Sequence, residues 1–196
     1  MKKISCLLLF LLLTQVAVAD DVSEAEKKLK TSVNKVLTVL SDQELTKDEK
    51  RSIATETINS TFDFPLMAKL CLGKKYWSKL NSEQRTEFTN LFIKLFEDFF
   101  ADKMEIFSDE KVVFKPLITK KKKVHIPTVL LSKGKEYSIL YKMFKSKKGW
   151  KVYDVEIEGV SIIHSYRSQY QHALESGKIE DLLSKMREIK LENKNL

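Results

Sequence analysis

Cysteine is almost absent from this chain, and the chemistry that depends on it is absent too. Cys6 and Cys71 are the only two, and Cys6 lies within an apolar run at the very start. With that run removed, Cys71 has no partner and no internal disulfide can form. Set among Met67, Leu70 and Leu72, Cys71 reads as a small buried apolar side chain rather than a reactive thiol. Only five glycines and three prolines occur. No internal repeat, low-complexity segment or glycine-rich phosphate loop is present, so the chain reads as continuous packed structure.

Histidine is equally scarce. His125, His164 and His172 are the three, and no cysteine pair or His–Glu spacing joins them into a metal site. Ser161 follows Gly159 and Val160 but lacks the flanking glycines of a nucleophile elbow; it reads as a helix N-cap. Asp154, Glu156 and Glu158 alternate along one strand face, the pattern of a solvated or salt-bridged surface. Nothing in these residues supports catalysis, and the chain is read as a non-enzyme.

Long hydrophobic runs are missing after residue 19. The one at the start has three parts: Lys2 and Lys3, an apolar core from Ile4 to Val18, and Ala17-Val18-Ala19 before Asp20. These are the charged start, short core and small-x-small cleavage site of a secretory signal peptide. The core is too short for a membrane span of about 20 residues, and Cys6 sits too early in it for lipoprotein anchoring. The organisation expected is therefore a leader over 1–19, one domain over 20–188, and a polar tail over 189–196. Loss of Lys2 and Lys3 lowers the formal charge from +8 to +6. For an exported basic protein, anionic headgroups or an acidic protein are more natural partners than nucleic acid.

The apolar period is helical in the first half. Val22, Ala25, Leu29, Val33, Val36, Leu37 and Leu40 form one stripe, with Ser23 as a candidate cap. A second helix is expected over Lys47 to Asn59. A third opens at Pro65 and ends before Gly73. Asn81 and Gln84 suggest a capping box for a fourth, which carries Phe88, Leu91, Phe92, Leu95, Phe96, Phe99 and Phe100. The second half changes period. Lys111–Leu117, Val124–Leu131, Glu136–Ser146 and Trp150–Ile157 predict four strands, joined into an antiparallel meander by the turns at 132–135 and 147–149. Helical spacing returns through Ile162, Ile163, Tyr166 and Tyr170, then through Leu182, Leu183 and Met186. The fold class is α+β: N-terminal helices, a curved four-stranded antiparallel sheet and C-terminal helices.

Two features have both a plain and a functional reading. The phenylalanine stripe fits a packed core and an apolar cavity wall equally well. Lys120–Lys123, with Lys133, Lys135, Lys145, Lys147 and Lys148, fits a solvated turn surface, a basic rim for a phosphate headgroup or an acidic docking surface.

Phe62-Asp63, Met67-Ala68, Leu72-Gly73, Trp77, Ser82-Glu83-Gln84-Arg85 and Phe88 together resemble the first half of the MlaC, or toluene-tolerance, family. Gly149 to Val155, Ile157 to Ser161 and Tyr166 to Gln169 are similar to its second half, so the likeness runs over roughly Leu29 to Leu183. The resemblance implies a periplasmic, phospholipid-binding carrier whose helices and sheet enclose an apolar lipid cavity. It implies exchange with an inner-membrane ABC transporter, through its lipid-binding subunit, and with an outer-membrane lipoprotein complex, so maintaining outer-membrane lipid asymmetry. It implies a monomer that needs no cofactor beyond its phospholipid cargo. On that basis the expected lipid-binding residues are Trp77, Phe92, Phe96, Phe99, Ile139, Tyr141, Val155, Ile157, Val160, Ile163 and Tyr166, with Arg167 at the headgroup. The rival readings are a carrier of another lipid, such as a hopanoid, and an envelope adaptor with a filled core.

Overall fold

Local signals set most helix boundaries. The computed structural model describes residues 5–104, 110–176 and 178–192, and side chains within 22–98, 110–175 and 178–188. Helix α1 (Ser5–Ser41) runs unbroken through Ser23, so the expected cap at that residue is not used. Helix α2 (Lys47–Thr61) begins at a reciprocal box: the Glu49 N–H donates to the Thr46 hydroxyl, and the Thr46 N–H donates to the Glu49 carboxylate at 2.9 Å. Two of the N–H groups that every helix start leaves unpaired are thereby satisfied. Helix α3 (Phe64–Trp77) is capped by Asp63, whose carboxylate accepts from the Leu66 N–H at 3.0 Å, with Pro65 in its first turn. Gly73 does interrupt it, at φ +78°, but the helix then resumes for one more turn. Helix α4 (Ser82–Met104) opens on the Asn81–Gln84 box, at 2.8 and 3.0 Å.

The sheet is antiparallel throughout. Its strands are β1 (Lys111–Phe114), β2 (Ile118–Lys120), β3 (Lys123–Ser132), β4 (Lys135–Ser146), β5 (Gly149–Ile157) and β6 (Val160–Ser161), ordered β1-β3-β4-β5-β6 with β2 also on β3. Six strands are described where four were expected. The two additions are three and two residues long, too short to show an alternating pattern. Pro116 ends the expected Lys111–Leu117 strand after Phe114, since proline has no N–H for the ladder. Between β4 and β5 the register shifts at Lys142/Met143, leaving Tyr153 as the extra residue of a bulge. Tyr153 and Asp154 can therefore share the face opposite Val152 and Val155. Helices α5 (Ile162–Ser176) and α6 (Ile179–Glu192) complete the described chain. Ser161 caps α5 by accepting from the His164 N–H at 3.0 Å.

These elements build two hydrophobic cores. The helical core gathers Phe64, Met67, Leu72, Phe88, Phe92, Tyr170, Leu183 and Met186 from α3 to α6. The other places Ala25 and Leu29 of α1 on the inner face of the sheet, against Val124, Ile126, Met143, Trp150 and Val152. Phe62 and Ile162 are partly buried and pack against both cores. Each fully buried Phe or Leu contributes about 1.5–3 kcal/mol, so each core is cohesive in its own right. Between them runs a seam.

Candidate functional site

An apolar cavity of about 90 Å³ lies in that seam. Helix α1 presents Leu29, Ser32, Val33 and Val36 to it at three- and four-residue steps. Thr57, Ile58 and Thr61 come from α2, Phe62 follows them, Phe96 enters from α4, and Tyr141 from β4. Phe96 also packs tilted against Phe62 and edge-on to Phe64, at 5.7 and 5.1 Å between centroids. The polar atoms of the wall bond to one another: the Thr61 hydroxyl lies 2.8 Å from Ser32 Oγ and 2.7 Å from the Thr57 carbonyl, and Thr57 donates to the Ile53 carbonyl at 2.8 Å. What faces the void is therefore almost wholly hydrocarbon. Burial pushes the Tyr141 phenol up to about 12, as expected where water is excluded.

Polar ties among the described residues cross the seam. Arg51 meets Asp98 at 2.9 Å and Asn59 donates to Glu97 at 3.0 Å, joining α2 to α4, while Lys94 pairs with the same Asp98 at 2.7 Å within α4. Lys151 reaches the Ser60 carbonyl, joining α2 to β5. Asp98 is buried, whereas the Asn59–Glu97 and Lys151–Ser60 contacts are exposed and of the kind that contributes little. The α1–α2 side is held mainly by apolar contacts, through Ala25 and Leu29 to the sheet core and through Ile58 to the helical core.

Of the side chains expected to bind lipid, Phe96 and Tyr141 line the cavity. Trp77, Phe92, Ile163 and Tyr166 sit in or against the helical core, Phe92 between Phe64 and Tyr166 in edge contacts. Ile139 and Val155 lie in or against the sheet core. Ile157 and Val160 are 39% and 60% exposed. The side chain of Phe99 lies outside the described residues. Arg167 donates to the Leu70 carbonyl from Nε and Nη2. The α1 and α2 contributors Leu29, Val33, Val36 and Ile58 were visible only as stripe members, and Phe62 only as part of a motif.

The acidic strand face forms a knot of ion pairs. Asp154 is buried and takes the Lys142 ammonium at 3.0 Å, the Ser161 hydroxyl at 2.8 Å and the Ile163 N–H at 3.3 Å; Lys142 also pairs with Glu156. Ser161 is thus committed to a carboxylate and a helix cap. Among the described residues no group of three or more His, Cys, Asp or Glu could hold a metal ion. Among those residues, too, no helix is long and apolar enough to cross a membrane.

Helices laid over one face of an antiparallel sheet, with a hydrocarbon-lined void in the seam, define an α+β fold with an apolar internal site. The family model described as MlaC protein matches residues 30–188, and the chain belongs to that family. Among solved structures, the phospholipid-binding protein of Ralstonia solanacearum, determined in complex with a phospholipid, superposes with a TM-score of 0.79. It is 22% identical, over 87% of this chain and 98% of that one, a likeness of fold. No curated protein matches the chain.

Proposed function

We propose that this chain is a periplasmic phospholipid carrier, released from a cleaved leader, that shuttles lipid between an inner-membrane ABC transporter and an outer-membrane complex. The observation that carries the reading is the apolar cavity in the seam between two separately packed cores. Family membership supports the cargo class, and so does the phospholipid held by the Ralstonia protein. The leader pattern supports the compartment. Phe96 and Tyr141, with Leu29, Val33, Val36, Ile58 and Phe62, form the first wall an acyl chain would meet.

The void is small. Pockets for drug-sized ligands are about 300–1,000 Å³, against about 90 Å³ here, so a two-chain lipid enters only as the seam widens. The energetics favour such opening on a partner rather than in water. Each methylene leaving water gains about 0.8 kcal/mol, and two long chains would exceed the ceiling near 18–21 kcal/mol for non-covalent binding. The bilayer offers the same gain, so carrier and membrane compete closely while escape into water is very slow. A docked partner that offers a continuous apolar path removes that barrier, and direction is then set by the partners and their ATP use.

Native mass spectrometry of the chain from residue 20, prepared without detergent, tests this reading. A stoichiometric adduct that releases a glycerophospholipid on fragmentation is the expected result. Release of a different lipid would assign another cargo. Protein that stays at bare mass after incubation with vesicles and partners would overturn the carrier reading in favour of a filled-core adaptor.

A further inference from the structure

We propose that the end of the sheet built from the β2–β3 and β4–β5 turns is a docking surface for an anionic bilayer. Binding there needs no cargo in the cavity. The register assembles the surface: Lys120 pairs with Lys123 across β2 and β3, Lys123 lies opposite Phe144, and Phe144 lies opposite Lys151. Lys121 and Lys122 at the first turn therefore stand beside Lys147 and Lys148 at the second. All of them are exposed.

The charge is uncompensated. Lys145 meets Glu24 at 3.7 Å, but Lys120, Lys121, Lys122, Lys147 and Lys148 make no ion pair among the described residues. Nearby, burial first and then Lys28 draw the Lys151 ammonium below the ordinary lysine range, with Asp63 opposing and Lys148 adding to the effect. The opposite end of the sheet differs, because Lys133 and Lys135 are mixed with Glu110, Glu136 and Glu158.

Two observations favour a bilayer over an acidic protein. First, every cation of the surface is a lysine. Arginine forks fix carboxylates in one geometry, whereas mobile ammonium groups suit a fluid array of phosphates. Second, the lysines stand beside apolar and aromatic groups on the same face. Lys123 lies 4.5 Å from the Tyr153 ring centroid, Tyr153 packs edge-on to Phe144 at 6.0 Å, and Ile118 on the neighbouring strand is 48% exposed. Lysine tips with half-buried rings and an exposed aliphatic side chain match the composition of the headgroup layer.

Co-sedimentation of the chain from residue 20 with vesicles tests the assignment. Binding is expected to vesicles of phosphatidylglycerol in phosphatidylcholine and not to phosphatidylcholine alone, and high salt should abolish it as the Debye length shrinks from about 8 Å toward 3 Å. Each lysine at an anionic surface is worth roughly a fivefold change in affinity. Replacing Lys121, Lys122, Lys147 and Lys148 by Gln should therefore weaken binding about a hundredfold or more. Lys133→Gln with Lys135→Gln should change it less than about threefold. Circular dichroism confirms that each variant is folded. Equal binding to neutral vesicles, insensitivity to salt, or an equal loss in the Lys133/Lys135 variant would overturn the proposal. Capture of poly-glutamate with no vesicle binding would reassign the surface to an acidic protein. Because the assay reads binding and not cargo, a chain that carries no lipid still tests it.

Discussion

The guanidinium of Arg167 donates twice to one oxygen, the carbonyl of Leu70, at 2.8 Å from Nε and 2.6 Å from Nη2. Gly73 is the reason that oxygen needs donors. Its left-handed backbone turns the following N–H groups away from the helix axis, and carbonyls just before the break look elsewhere. Hydrogen bonds from a charged donor are worth about 1.5–3 kcal/mol. Arg167→Ala should therefore lower stability by about 2 kcal/mol, with Arg167→Lys recovering part of the loss in urea denaturation. A variant that keeps its stability but loses bound phospholipid would instead place Arg167 at the headgroup.

The same junction makes a second prediction. An L side chain at φ +78° is strained, and a Cβ on Gly73 would lie 3.4 Å from Gln171 Nε2 and 3.9 Å from Arg167 Nε. Gly73→Ala should cost about 1–2 kcal/mol for the backbone conformation. Combined with Arg167→Ala it should cost less than the sum, because both changes act on one contact. Strict additivity would mean that the glycine and the arginine serve separate ends.

Val36 borders the cavity from the outer turn of α1 and is half-buried. A larger apolar group there fills space that cargo would use. Val36→Phe should raise stability by about 0.5–2 kcal/mol, as cavity-filling changes commonly do, while lowering the lipid adduct in native mass spectra. Thermal unfolding and adduct yield should move in opposite directions. A rise in both would place the acyl chains elsewhere.

How much of this could be read beforehand depends on the range of each interaction. The Asn81–Gln84 box and the Ser161 cap were legible because cap and target lie three residues apart. The Thr46–Glu49 box has the same spacing but stands beside the more obvious stripe of α1. Family resemblance, not spacing, is what points to Phe96 and Tyr141. Leu29, Val33 and Ile58 repeat with the same period whether their helices interdigitate or stand apart. The cavity is the gap where two stripes fail to mesh, a tertiary fact with no local mark. Ile157 shares the Val155 face by alternation yet is 39% exposed, because exposure is set by tertiary cover that alternation does not encode.

Tyr170 closes a run of rings in the helical core, edge-on to Phe88 and stacked on Tyr166 at 5.5 and 5.6 Å. Its hydroxyl is buried without a hydrogen-bond partner among the described residues, and burial drives its pKa upward. An unpaired buried hydroxyl costs about 1–3 kcal/mol. Tyr170→Phe removes that cost and keeps the ring contacts, so it should stabilise the protein by about 1 kcal/mol. A loss of that size would reveal a partner for the hydroxyl.

His125 is buried on the sheet, facing Lys142 across β3 and β4. Burial first, then Lys120 and Lys142, hold its imidazole below the ordinary range, with Lys123 adding to the effect and Glu156 opposing it. The sign of the pH effect follows. Above about 6.5, the unfolded value, the ring is neutral in both states and this stabilisation is fully present. As pH falls, the unfolded chain takes up the proton first, and stability drops until the folded ring is protonated as well. Denaturation midpoints at about pH 7.5 and about pH 5.5 should therefore differ for the native chain. His125→Gln carries no titrating ring and should narrow that difference. If the gap is unchanged in the glutamine variant, the acid sensitivity belongs to other groups.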